Sequence, residues 1–142
     1  MQTSTALQNR SPVDRSGSSR AATYWVITVV AALAFAVPGI LNLEGAPHVV
    51  RDMAHLGYPR YFLAILGAWK LLGAVAILAP RLPRLKEWAY AGMLFDLTGA
   101  AASRAVSGDG VATVAIPLAI SGIVFGSWAL RPAGRRLEST ST

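Results

Sequence analysis

Four apolar runs, Ala21 to Leu43, Tyr61 to Ala79, Trp88 to Ser103 and Val111 to Leu130, take up most of this 142-residue chain. A helix needs roughly 20 mostly apolar residues to cross a hydrocarbon core of about 30 Å. The first, second and fourth runs meet that length directly; the third does so only with Glu87 and Arg104 at its ends, reaching toward the headgroups as long charged side chains do. Lipid offers the backbone no hydrogen-bond partners, so such runs become helices. The expected fold is therefore all-α: an integral membrane four-helix bundle with spans at about 24–43, 61–79, 87–104 and 111–130. Apolar residues make up 54% of the chain, and their clustering into runs argues against a single soluble domain.

Charge gives the bundle a direction. Arg10, Arg15 and Arg20 precede the first run, Arg81, Arg84 and Lys86 separate the second from the third, and Arg131, Arg135 and Arg136 follow the fourth. The opposite side carries only Arg51, Arg60 and Arg104. By the positive-inside rule both termini and the middle loop are cytoplasmic, as in a multi-pass protein of the cell membrane, N-in and C-in. The lipid bilayer is the expected partner, and the formal charge of +6 needs no nucleic acid to explain it. Residues 1–20 and 132–142 are polar and aperiodic and read as disordered cytoplasmic tails around a membrane domain at 21–131. A signal peptide cut after Ala34-Phe35-Ala36 is the weaker reading, because the apolar stretch continues through Ile40 and Leu41. The chain has no cysteine, which excludes disulfides, thiolate metal sites, thioether haem attachment and cysteine nucleophiles. Phosphate-binding glycine loops and nucleophile-elbow spacing are absent.

Pro38 and Pro117 each remove a helical hydrogen bond, at the carbonyls of Ala34 and Thr113. Bends at matching depth predict a wedge opening on the side away from the termini; the plainer alternative is that membrane helices tolerate proline. Between the first two spans, 46–56 reads as a short interfacial helix with Pro47 at its start and Gly57 past its end. Val49, Val50, Met53 and Leu56 make its apolar face, and His48, Arg51, Asp52 and His55 its polar one. The two histidines are seven apart around Asp52, which suits an ordinary polar face better than a metal site. Tyr58, Tyr61, Trp25, Trp88 and Trp128 lie at span ends as interfacial anchors.

Two charges interrupt the runs. Lys70 is nine residues from Ala79 and Asp96 eight from Trp88, so at about 1.5 Å per residue their depths differ by roughly 2 Å. Gly67, Gly73 and Ala74 share a face with Lys70, and Gly92, Gly99, Ala100 and Ser103 share one with Asp96. Small residues let membrane helices approach, which turns both charges toward the interior. Inserting both costs about 5 to 7 kcal/mol on the mildest scale, against about 4 kcal/mol of attraction at 4 Å and an effective dielectric near 20. The pair roughly breaks even. It is either a device that fixes which helix faces which or a proton relay or ligand site. Asn42 and Glu44 at the end of the first span, and Arg104 at the end of the third, complete the candidate set, with Glu44 and Arg104 expected to pair across the mouth of the wedge.

The stretches Leu56-Gly57-Tyr58-Pro59, Gly67-Ala68-Trp69-Lys70, Leu85-Lys86-Glu87-Trp88-Ala89-Tyr90-Ala91-Gly92 and Phe95-Asp96-Leu97-Thr98-Gly99-Ala100 resemble the DoxX-like family. The resemblance runs from about Tyr24 to Leu130 and implies a small four-helix protein of the bacterial inner membrane, with the family's charged positions falling on Lys70 and Asp96. The wider group is named after a subunit of a thiosulfate:quinone oxidoreductase. That implies an accessory or small-ligand-binding subunit in membrane redox chemistry, with a quinone as ligand and a soluble oxidoreductase as partner. Two other readings stay open: a proton-coupled small-molecule exporter acting as a homo-oligomer, and a membrane enzyme on a lipophilic substrate with Asp96 as acid or base. Where the family often has histidine after Ala102-Ser103, this chain has Arg104, which puts histidine-dependent proton chemistry there in doubt.

Overall fold

The computed structural model describes residues 12–80 and 82–131, with side chains from Ser19 onward. Among the described residues the structure is all helical, in the order α1 (Pro12–Glu44), α2 (Pro47–His55), α3 (Tyr61–Leu78), α4 (Pro83–Val106) and α5 (Val111–Ala129). α1 begins at Pro12, inside the stretch read as a disordered tail. Proline at the first helical position has a preset φ and lacks only an N–H that would go unbonded there anyway. The expected tails at residues 1–11 and 132–142 lie outside the described residues.

Ser19–Glu44, Tyr61–Leu78 and Val111–Ala129 are long and apolar enough to cross a membrane. α4 has 24 residues, about 36 Å of helix, but carries Arg84, Lys86, Glu87, Asp96 and Arg104. The outward faces point to lipid. Val26, Leu33, Val37, Trp69, Leu72, Val75 and Phe95 are all exposed, where a water-soluble helical protein would set charged residues.

Each of the four long helices packs mainly on two others: α1 on α3 and α5, and α4 on α3 and α5. The core forms where all four meet, around Phe35, Ile77, Tyr90, Met93 and Val124. It lies in the half nearer the termini, and α2 contributes no buried residue to it. α1 and α2 both stop at a glycine in the left-handed region, Gly45 at φ 63° and Gly57 at φ 79°. In each case the next N–H bonds back to a carbonyl five residues earlier, Ala46 to Leu41 and Tyr58 to Met53, a stop that a residue with a Cβ makes only under strain.

Pro38 and Pro117 both sit inside continuous helices. Next to Pro38, a Cβ on Gly67 would come 2.8 Å from the Gly39 carbonyl oxygen, so α1 and α3 are in close contact there. An open volume lies between α3 and α4.

Candidate functional site

Lys70 stands mid-way along α3 and Asp96 in the middle of α4, and the structure brings them together with Nζ 3.5 Å from Oδ2. Neither makes a hydrogen bond to another side chain or to the backbone among the described residues. An ammonium offers three donors and a carboxylate about four acceptor positions, so most of the bonding capacity of both groups is unspent.

What surrounds the pair explains why. A cavity of about 630 Å³ runs from Lys70 and Asp96 toward the α3–α4 connection, walled by Phe62, Trp69, Trp88, Phe95 and Met93, with Phe35 reaching in from α1. A second cavity of about 220 Å³ runs the other way, beneath Met53, Leu56 and Tyr58. Phe62, Leu66, Lys70, Phe95 and Asp96 line both. The pair therefore forms a shared floor between two chambers.

The small residues act differently from expectation here. Gly67 does press α3 on a neighbour, but that neighbour is α1, while Gly73 meets the Met93 side chain of α4. A Cβ on Gly92 or Gly99 would meet nothing within 4 Å. Gly92 lines the larger cavity and Gly99 the smaller, so on α4 the missing side chains leave space where tight packing was expected. Helical periodicity places these glycines on one face; it does not say what the face looks at.

Of the other candidates, Arg104 is engaged, but not with Glu44. Its Nη2 donates to Asp52 Oδ2 at 2.6 Å and its Nη1 to Asp109 Oδ2 at 3.0 Å, and His55 Nε2 lies 2.6 Å from the other oxygen of Asp109. The cluster ties α2 to the end of α4 and the α4–α5 turn. Glu44 is exposed at the end of α1 and outside it; the turn residue Asp109 occupies the place expected for it. The hydrogen bond with His55, reinforced by Arg104, holds the Asp109 carboxyl below its ordinary pKa against the opposing effect of desolvation. Tyr58 and Ser103 hydroxyls meet at 2.8 Å beside this cluster. Asn42 is buried with its Nδ2 unbonded among the described residues, and it lines neither chamber.

Sequence reading missed a third polar group, near the termini. Thr28, Ser127 and Tyr90 join α1, α5 and α4 by hydroxyl contacts of 2.7 and 2.8 Å, all three side chains buried. Lys86 and Arg131, counted from the sequence among the cytoplasmic charges, are both buried. Lys86 donates to the carbonyl of Ile77, one of the carbonyls that the end of α3 leaves without a helical partner, and its charge suits the negative end of that helix. Arg131 lies over the Tyr90 ring and donates to Glu87 Oε1 at 2.6 Å, while Trp128 Nε1 donates to Glu87 Oε2 at 2.8 Å. Thr28 and Ser127 do interrupt apolar runs, and that was the available signal.

The structure thus provides an ion pair with spare donors and acceptors, set in an aromatic-walled groove, and apolar helices that belong in lipid. The larger chamber is of ordinary size for a small-molecule site. No curated protein and no solved structure matches the chain. The family profile that does match covers residues 26–127, taking in Lys70, Asp96 and the greater part of every long helix. On that match the chain is a membrane protein that belongs to the DoxX-like family.

Proposed function

We propose that this protein holds a small lipophilic ligand by its polar head between Lys70 and Asp96, as an accessory subunit in membrane redox chemistry, with a quinone as the leading ligand and a soluble oxidoreductase as partner. The four long helices then stand as a bundle in the cell membrane, with both termini and the α3–α4 loop in the cytoplasm, as the distribution of basic residues favours. The observation that carries the reading is the unspent bonding capacity of the pair inside an aromatic-walled chamber. Lys70 can donate to a carbonyl oxygen and Asp96 can accept from a hydroxyl, while Phe62, Trp69, Trp88 and Phe95 offer faces and edges to a ring. Charge-assisted hydrogen bonds of this kind are about twice as strong as neutral ones and fix the head of a ligand whose tail lies in lipid.

The test is organic extraction and native mass spectrometry of the purified full-length protein, with Lys70→Met alongside. A lipophilic quinone should accompany the parent in near-stoichiometric amount and be lost from the variant. A parent protein that carries no such molecule, and gains none when supplied with it, sinks the reading. One observation favours a second role. Two chambers that meet at a charged floor suit a proton-coupled exporter working as an oligomer, for which Lys70→Met should abolish transport without removing any bound quinone.

A further inference from the structure

The smaller chamber has a roof of a particular kind. Met53 of α2, with Leu56 and Tyr58 just beyond the helix, covers it, and Lys70 and Asp96 lie at its base. α2 itself is weakly anchored: none of its nine residues is buried. The helix hangs between Gly45 and Gly57, both in the left-handed region, where glycine changes conformation at little steric cost. On its far side polar contacts hold it: Asp52 to Arg104, His55 to Asp109, and beside them Tyr58 to Ser103. Elements with few buried apolar contacts open at low free energy, and exposed ion pairs are weak fastenings, each worth about 0 to 1 kcal/mol.

The two chambers also differ in chemistry. The larger presents aromatic and aliphatic walls, whereas the smaller adds, at its α2 end, the hydroxyls of Tyr58 and Ser103, bonded to each other. We propose that the smaller chamber is an aqueous passage to Asp96 and that α2 is its hinged lid, fastened by the cluster of Arg104, Asp52, Asp109 and His55. An apolar ligand then reaches the pair from the lipid side, through the larger chamber, while water and protons reach the same pair from the α2 side. This deepens the proposed role of the pair as a ligand site, supplying the route by which Asp96 exchanges protons. Arg104, where the resemblance noted above expects histidine, becomes the central post of the fastening, bonded at once to the lid through Asp52 and to the α4–α5 turn through Asp109.

The chain has no cysteine, so one introduced thiol reports alone. Ala100→Cys places it in the smaller chamber and Ala89→Cys in the larger. Full-length protein in vesicles is exposed to a charged, membrane-impermeant thiol reagent on the α2 side. Labelling at Ala100→Cys should be slow in the otherwise unchanged chain and about five- to tenfold faster when Arg104→Gln removes both ion pairs. Asp52→Asn combined with His55→Gln, changed at two half-exposed positions, removes both ion contacts of α2 itself, should give a rise at least as large, and serves if Arg104→Gln does not accumulate. Equal labelling rates with and without the fastening, whether all fast or all slow, overturn the lid. So does equal acceleration at Ala89→Cys, which means that the variants loosen the whole structure. Labelling reads access to the chamber and not its occupancy, so the ligand assignment and the lid fail separately.

Discussion

Two of the polar groups in this molecule, the one near the termini and the one at mid-helix, differ in how completely they are bonded. Near the termini, Thr28, Ser127 and Tyr90 form a continuous hydroxyl chain, Lys86 closes the end of α3, and Glu87 takes donors from both Trp128 and Arg131. Around Lys70 and Asp96 there is one ion contact of 3.5 Å and open space. A buried polar network rigidifies a fold when its members are satisfied, and a buried polar group left short of partners calls for a reason. The first region is bonded like a joint between helices. The second is bonded like a receptacle.

The contrast can be broken most forcefully at Tyr90. Tyr90→Ala removes a fully buried ring that also lies under Arg131 and bonds Ser127, and should cost about 3 to 5 kcal/mol. Thermal unfolding of the detergent-solubilised protein measures it, and a loss below about 1 kcal/mol would deny the joint its role. A smaller effect separates tight from open glycines. Gly67→Ala drives a Cβ against the Gly39 backbone and Leu43, costing about 1 to 3 kcal/mol. Gly99→Ala meets nothing and should leave the unfolding temperature where it was. Comparable losses at both positions would mean that α4 packs tightly along the groove after all. The smallest change is expected from the pair itself: Lys70→Met with Asp96→Leu should insert, fold and stay within about 1 kcal/mol of the parent, since apolar replacement of a buried ion pair is often neutral or better. If the double variant fails to accumulate, and each single variant fails equally, the pair belongs with the joint and not with the receptacle.

The sequence made the receptacle partly legible and the joint hardly at all. Lys70 and Asp96 stand out because a charge inside an apolar run is expensive, and counting along ideal helices was enough to put them at one level. Hydroxyls inside such runs are cheap and therefore inconspicuous, and Thr28 meets Ser127 across 99 residues of chain, a distance that no local pattern bridges. Helix ends were legible where proline and glycine mark them, at Pro47 and Gly57, whereas α4 begins at Pro83, before the span start read at about residue 87. The partner of Arg104 was not, because a long side chain at a helix end can reach several carboxylates; Asp109 sits in the adjoining turn and Asp52 on the facing helix, while Glu44 was chosen only for its level. Lys86 and Arg131 were counted as cytoplasmic charge, and burial hid both behind their helix-end and aromatic contacts.

Gly92 and Gly99 bring one more consequence. A chamber opened by leaving out side chains is tuned by putting them back: alanine, valine or leucine at either position would shorten one chamber stepwise, with the Lys70–Asp96 floor and the helix contacts left in place. Under the proposed ligand role, these two positions set how large a guest the groove admits, separately on each side of the floor.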